Sequence, residues 1–196
     1  MTTPRIPPGT AADIGRRNAL IAKALGAAMG TGPPNIFTTL SRHRRLFLPW
    51  LRFAGRLMPG GKLPRADTEL LILRTAHNSG CEYEWRHHER IGQAAGMSRE
   101  EIQRVREDVG AGGWGERQKL LLRAADELHA SRVLSDEVFD GLRPLLSDAE
   151  LIEVCMLVGH YEMLAMTLNS LQVAPDEFEG AGPGRLVSLL WRLRRT

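Results

Sequence analysis

The sequence predicts an all-α protein, and three observations support this fold class. Apolar residues recur at the spacing of helix faces, and no segment alternates apolar and polar residues as strands do. Ser-x-x-Glu capping boxes open two segments, at Ser98 and at Ser147. Breaks rich in glycine and proline separate the helical segments. With 196 residues, of which 43% are apolar, the chain can bury one sizeable core. We therefore expect a single-domain helical bundle of about seven to nine helices.

The predicted helices follow one another along the chain. "TGPPN" ends the first segment, and Pro49 should kink or split the second before Leu57. Only "NSG" separates the next two helices, which makes them antiparallel neighbours with a short connection. In chain order, the predicted helices cover residues 11–29, a stretch after residue 35, residues 66–77 and 81–96, a stretch after Ser98, residues 116–131, a stretch after Ser135, residues 151–171, and the candidate helix "RLVSLLWRLRR" at 185–195.

The helix at 81–96, "CEYEWRHHERIGQAAG", carries reactive side chains where an apolar face is expected. At about 100° per residue, Cys81, Glu84 and His88 project from the same side as the apolar residues of the helix. Burial of a carboxylate and an imidazole is unfavourable unless they are paired. The spacing of four residues lets Glu84 and His88 pair, and Cys81 is one turn away. All three side chains can therefore share one cavity.

The protonation of Cys81 depends on opposing effects. The first turn of a helix favours a thiolate, because its N–H groups are free and its dipole is positive there. A protonated His88 would lower the thiol pKa further and an ionised Glu84 would raise it, so the sequence leaves the outcome open. Cys81 can also be a structural cysteine, and Glu84 can simply form an ion pair with Arg86 or His88. Glu69, 12 residues before Cys81, joins the site only if the two helices cross at a suitable angle.

Several other side chains are weaker candidates. Trp85 either lines the pocket or fills the core. His160 and Tyr161 interrupt an apolar helix, either as a hydrogen-bonded core or interface pair or as ligand contacts. Cys155 lies in the same helix, and we expect it to be buried and inert. Two side chains point away from the inward face and are expected at the surface or in an interface: Tyr83 and His87.

Charge and cysteine content exclude several classes of protein. The net charge is only +3, and basic residues cluster at two places, residues 42–45 and 192–195. We therefore expect no nucleic-acid partner. The sequence has two cysteines, so we expect no disulfide framework. It has no Cys/His pair at a familiar metal-ligand spacing, so we expect no metal site. We expect a cytoplasmic protein, because the N-terminus lacks an apolar signal region. Residues 151–171 contain Glu153, His160 and Glu162, which predicts a buried helix and no membrane span.

Three stretches of the sequence resemble the carboxymuconolactone decarboxylase-like superfamily, which includes alkylhydroperoxidase D. They are "TELLILRTA", the motif "CEYEWRHH" that follows it, and "LIEVCMLVGHYEMLAMTLN" further on. The resemblance covers about residues 45–173, leaving an N-terminal helical extension at 1–44 and a C-terminal tail at 174–196. It implies an all-α fold, chemistry without a metal or organic cofactor, and assembly into homo-oligomers: dimers, trimers or hexamers.

The resemblance also implies roles for individual residues. In the alkylhydroperoxidase branch, Glu69 matches a proton-relay glutamate, Cys81 the first cysteine of a Cys-x-x-Cys motif, and His88 its histidine. Glu84 occupies the position of the second cysteine, so no disulfide forms within the motif. A peroxide could still oxidise Cys81 to a sulfenic acid, which an external thiol would resolve. Resolution by Cys155 requires the two cysteines to be close.

The decarboxylase branch implies a different use of the same pocket. Loss of CO₂ from a small cyclic carboxylic acid leaves an enolate, and Glu84 and His88 could return a proton to its carbon atom. We favour a thiol-dependent peroxidase, with Cys81 as the reactive thiol, His88 as its proton acceptor and donor, Glu84 tuning both, and Glu69 as a distal relay. A decarboxylase or proton-transfer enzyme is the second hypothesis, and an oligomer that binds a small molecule without catalysis is the third.

Overall fold

The computed structural model describes residues 3–178, and this part of the chain is all-α, as predicted. Within it the only β-type pairing is one isolated bridge between Thr31 and Phe178. The ten α-helices are α1 (Ala11–Ile14), α2 (Arg16–Met29), α3 (Asn35–Leu40), α4 (Arg44–Leu57), α5 (Arg65–Asn78), α6 (Glu82–Ala94), α7 (Arg99–Arg104), α8 (Glu116–Ser131), α9 (Asp136–Leu142) and α10 (Asp148–Leu171). The helix predicted at 185–195 lies outside the described residues.

The helix count exceeds the predicted seven to nine because two predicted segments are each divided. Gly15 separates α1 from α2 with a φ of 83°, a backbone conformation that glycine adopts without steric cost. The second segment is divided at residues 41–43, between α3 and α4. Pro49 was expected to kink or split this segment, but it lies inside α4, which continues through it to Leu57.

Two compact units make up the chain. Of the described residues, the first unit comprises 3–53 and 168–178, and the second comprises Ala54–Thr167. Within the first unit, the start of α3 is bonded to the segment that follows α10, through Asn35. Its backbone N–H donates to Asp176 at 2.8 Å, and its side-chain amide donates to the carbonyl of Ala174 at 3.0 Å.

Helix α5 is the central element of the second unit. Every residue from Asp67 to Ala76 is buried, and the helix packs against α6 and α8. Arg74 ties it to α8, because its guanidinium donates two hydrogen bonds to the Asp126 carboxylate at 2.6 and 2.8 Å. Such bidentate pairs fix orientation as well as distance. The position of each α5 side chain relative to the neighbouring helices is therefore well defined.

Helix α10 fixes the start of α5. The buried carboxylate of Glu153 accepts hydrogen bonds from the backbone N–H groups of Lys62 at 2.6 Å and Leu63 at 3.1 Å. These two residues immediately precede α5. The charged residue that interrupts this apolar helix thus has a structural role, since it satisfies two backbone donors of a loop.

Helix α10 is the one described helix that is long and apolar enough, by length and composition, to cross a membrane. In its most apolar 18-residue window, however, 61% is buried inside the protein, as in a core helix. Its outward face is apolar as well. The exposed large side chains on this face are Ile152, Met156, Met163 and Met166.

Candidate functional site

The connection between α5 and α6 positions Cys81 at the N-cap of α6. Gly80, with a φ of 58°, turns the chain, and the backbone N–H of Cys81 donates to the carbonyl of Ala76 at 2.8 Å. The Cys81 side chain points inward, and the residue is only 1% exposed. The predicted position at the beginning of the helix is correct, and the thiol is enclosed by protein.

Glu84, one turn further along, is a buried acid without a strong hydrogen-bond donor. The residue is 3% exposed, and no donor of residues 3–178 meets either carboxyl oxygen in hydrogen-bonding geometry. The Cys81 thiol, a weak donor, interacts with it. Burial, reinforced by the nearby charge of Glu162, raises the pKa of Glu84 to about 8. Because this value lies above neutral pH, most Glu84 carboxyls carry a proton at pH 7.

The thiol pKa of Cys81 is raised, contrary to the thiolate that the helix N-terminus alone would favour. Burial is the largest cause, and the Coulombic effect of Glu84 adds to it. The backbone N–H groups of Glu84 and Tyr83 do act on the sulfur in the predicted direction, but they are outweighed. The resting site is therefore a neutral thiol beside a carboxyl that is mostly neutral.

His88 pairs with Glu69 and not, as the spacing within α6 suggested, with Glu84. Its Nδ1 atom lies 2.6 Å from Oε2 of Glu69, and the Glu69 side chain is completely buried. The other carboxyl oxygen, Oε1, accepts a hydrogen bond from Arg65 at 3.5 Å. Helices α5 and α6 thus cross at an angle that brings Glu69 to the site, the condition that spacing alone left open.

Tyr161 of α10 joins the two histidines of the site. Its ring makes edge-to-face contacts with His88, at 5.1 Å between centroids, and with His160, at 5.3 Å. Burial and the charges of Glu69 and Glu84 raise the pKa of Tyr161 well above its ordinary value, so the phenol stays protonated. Burial lowers the pKa of His160 to about 4, which leaves its imidazole neutral at physiological pH.

The remaining sequence candidates differ in their burial. Trp85 is buried, with the guanidinium of Arg106 3.9 Å from its ring centroid. Tyr83 and His87 were expected to face outward, but both are buried and their rings stack at 4.7 Å. Cys155 was expected to be buried, but it lies on the exposed face of α10.

Three residues near the site were not singled out from the sequence. Glu162 is buried, and its Oε1 atom accepts a hydrogen bond from Ser79 at 3.0 Å and lies 2.6 Å from Nδ1 of His129. The one available signal was Glu162 itself, a carboxylate that interrupts an apolar helix. Its partners come from distant parts of the sequence, so only the fold brings them together.

The site combines a thiol with several groups that can carry a proton. Cys81 and Glu84 form one neutral pair, and Glu69 and His88 form a second pair that spans α5 and α6. A carboxyl with a pKa of about 8 can give or accept a proton near neutral pH, which is what general acid–base catalysis requires. Perturbed titrating groups in a buried cluster are typical of functional sites.

Comparison with known proteins places this geometry in context. Residues 45–127 match the model of the carboxymuconolactone decarboxylase family. No curated protein matches the sequence significantly. Among solved structures, an alkylhydroperoxidase AhpD core described as an uncharacterized peroxidase-related protein, from Ralstonia eutropha JMP134, superposes with a TM-score of 0.75 at 20% identity. The similarity covers 90% of this chain and 94% of that one.

Two further structures share the fold. An uncharacterized peroxidase-related protein from Silicibacter sp. TM1040 has a TM-score of 0.74 at 14% identity, covering 89% of this chain and 95% of that one. The debrominase Bmp8, in a cysteine-to-alanine variant bound to 2,3,4-tribromopyrrole, has a TM-score of 0.73 at 17% identity, covering 92% and 94%. At these identities the similarity establishes the fold, and the fold alone.

Proposed function

We propose that this chain is a cofactor-free, thiol-dependent peroxidase of the carboxymuconolactone decarboxylase-like, alkylhydroperoxidase D-like superfamily, with Glu84 as the base for Cys81. One observation carries the proposal: the Cys81 thiol interacts with the buried Glu84 carboxyl, whose two oxygens meet no N–H or O–H donor within residues 3–178. The same fold occurs in a structure described as peroxidase-related and in a debrominase, both of them named for enzyme activity.

Because the pKa of the Cys81 thiol is raised, the reaction requires a base that removes its proton. An ionised Glu84 accepts the Cys81 proton as the sulfur attacks the terminal oxygen of a hydroperoxide. The O–O bond breaks, Glu84 returns the proton to the departing alkoxide, and Cys81 becomes a sulfenic acid while the peroxide becomes an alcohol. An external thiol then forms a mixed disulfide with Cys81 and releases water. A second external thiol restores Cys81 and leaves as a disulfide.

The second pair supplies a further proton store beside this reaction. Glu69 and His88 are in hydrogen-bond contact, and the ring of Tyr161 packs against His88. The pair can therefore move a proton between its two members without exposing either to solvent. We assign His88 and Glu69 as positioning and relay groups, and Cys81 and Glu84 as the groups that meet the substrate.

Proton transfer to carbon is a second candidate, favoured by the protonated state of Glu84. An uncharged carboxyl whose oxygens accept no strong hydrogen bond can donate its proton to an enolate formed by loss of CO₂. The substrate would be a small cyclic carboxylic acid. In this case Cys81 lines the pocket and takes no part in bond making.

Variants of the two cysteines distinguish these functions. Turnover of an organic hydroperoxide with a dithiol as external reductant should be abolished by Cys81→Ser and retained by Cys155→Ala. Loss of CO₂ from a carboxylated lactone should instead survive Cys81→Ser and be abolished by Glu84→Gln. If the wild-type protein turns over neither substrate, the third function, non-catalytic binding of a small molecule, is favoured.

We also propose that the protein is a cytoplasmic homo-oligomer. The outward face of α10 exposes Ile152, Met156, Met163 and Met166 along one side. A row of large apolar residues on the surface is typical of contacts between subunits. A second copy of this chain would remove that face from water.

A further inference from the structure

We propose that His129 and Glu162 form the route by which the buried Glu84 exchanges its proton with solvent. The inference rests on the proposed function, because it concerns the group that carries the proton in either candidate reaction. Glu84 is 3% exposed, so a proton reaches it only through other groups of the protein or through water admitted beside them. His129 and Glu162 are the pair that leads from this acid to the surface.

The inner end of the route lies at the beginning of α6. Glu162 accepts a hydrogen bond from the Ser79 hydroxyl at 3.0 Å, two residues before Cys81. This bond places the Glu162 carboxylate at the end of α6 that carries Glu84 in its first turn. The charge of Glu162 also contributes to the raised pKa of Glu84, after the larger effect of burial.

The outer end of the route is accessible to water. The His129 side chain is 35% exposed, whereas that of Glu162 is 10% exposed, and the two are joined by the 2.6 Å contact between Nδ1 and Oε1. Exposure therefore increases along the series Glu84, Glu162, His129.

A groove of about 580 Å³ opens on α8 and α10, the helices that carry His129 and Glu162. Glu162 is part of its wall, together with Arg132, whose guanidinium lies 3.9 Å from the other oxygen of Glu162. Most of the remaining wall is apolar and includes Leu128, Val158 and Met166. Glu162 is thus the one acidic residue among the described residues of this wall. The described groups that act on it are Ser79 from the α5–α6 connection, His129 from α8, Arg132 immediately after α8, and Glu84 from α6.

Infrared spectroscopy tests the proposal without any substrate. The C=O stretching band of the protonated Glu84 carboxyl is assigned by its loss in Glu84→Gln, and its shift after rapid mixing with D₂O gives the rate of proton exchange. We expect Glu162→Gln and His129→Ala to slow this exchange about tenfold or more. Added imidazole should restore the rate in His129→Ala, an effect that a purely structural role of His129 would not produce.

Controls separate the outcomes. His43→Ala, which removes an exposed histidine from the other compact unit, should leave the exchange unchanged. If Glu162→Gln does not fold, His129→Gln carries the test, because His129 is partly exposed. Unchanged exchange in the His129 variants, or no protonated Glu84 band at pH 6, would overturn the proposal. Loss of the proposed peroxidase function would instead appear as full turnover in Cys81→Ser, whatever the exchange rate.

Discussion

His88 and Glu69 lie 2.6 Å apart across the α5–α6 interface, with both side chains almost completely screened from solvent. Because a buried ionisable group is stable only with a partner, each residue depends on the other. This pairing leaves Glu84 free of His88 and in contact with the thiol of Cys81. The division into two pairs is the basis of the chemistry proposed above.

The first prediction concerns the coupling of His88 and Glu69. In a double-mutant cycle of His88→Ala and Glu69→Gln, we expect a coupling free energy of about 1–3 kcal/mol, because either single change removes the buried 2.6 Å contact between the two side chains. The free energy of unfolding in urea gives the four values required. The surface pair Arg123 and Glu137, at 2.7 Å but largely exposed, is a matched control and should show no measurable coupling. Equal coupling in both pairs would contradict the account.

The second prediction separates the two effects of Glu84 on Cys81. Glu84→Gln removes a charge that raises the thiol pKa, so the pH midpoint of Cys81 alkylation should fall. Peroxide turnover should nevertheless decrease by about 10²-fold or more, since the base is lost. Alkylation is measured in Cys155→Ala, so that one thiol is followed. A thiol pKa that stays constant or increases in Glu84→Gln would show that the two groups do not interact.

The third prediction follows from the pKa of Glu84 and concerns stability. The pKa rises from an ordinary 4.5 to about 8 on folding, so the folded protein binds a proton that the unfolded chain releases. This contribution is complete below pH 4.5 and is lost progressively as the pH rises to about 8. Its full size is of the order of a few kcal/mol.

Urea unfolding between pH 5 and pH 9 measures this effect. The wild-type protein should lose stability with rising pH, and Glu84→Gln should flatten the curve. The control Glu137→Gln alters an exposed carboxyl whose pKa is lowered by Arg123, and it should leave the slope above pH 5 unchanged. A Glu84→Gln curve as steep as that of the wild type would mean that Glu84 is ionised throughout.

The fourth prediction concerns assembly. Light scattering at micromolar concentration should give the mass of an oligomer, and Met163→Glu should lower it, because the change puts a charge into the apolar row on α10. Leu20→Glu is the matched control, since Leu20 is equally apolar and 69% exposed but lies on α2. A monomeric wild-type protein would contradict the proposal.

Much of the fold could be predicted from local sequence. The capping boxes at Ser98 and Ser147 begin helices as expected, since the hydroxyl of each accepts from the backbone N–H three residues later. Local hydrogen bonds depend on neighbours in the sequence, and so they can be identified there. The division at Gly15 was missed because helical spacing continues on both sides of it.

The site was predictable in composition but not in pairing. Spacing placed Cys81, Glu84 and His88 on one inward face, and all three are buried. The partner of His88 depends on how α5 crosses α6, and the thiol pKa depends on how completely the protein excludes water. Both are properties of tertiary packing, which also brings Glu162 to the site from α10. The sequence could therefore name the groups but not the direction of the shift in the pKa of Cys81.

The fifth prediction concerns the central claim, that Glu84 is the base for Cys81, and the pH dependence of Cys81 oxidation tests it most directly. The measurement follows sulfenic acid formation at a fixed concentration of an organic hydroperoxide, from pH 6 to pH 9, in Cys155→Ala. The rate should rise about tenfold per pH unit and level off near pH 8, where Glu84 is ionised. Glu84→Gln should lose this plateau. A rate that is independent of pH, or that falls as Glu84 loses its proton, would contradict the account. It would favour the second function, in which Glu84 donates its proton to the carbon atom of an enolate.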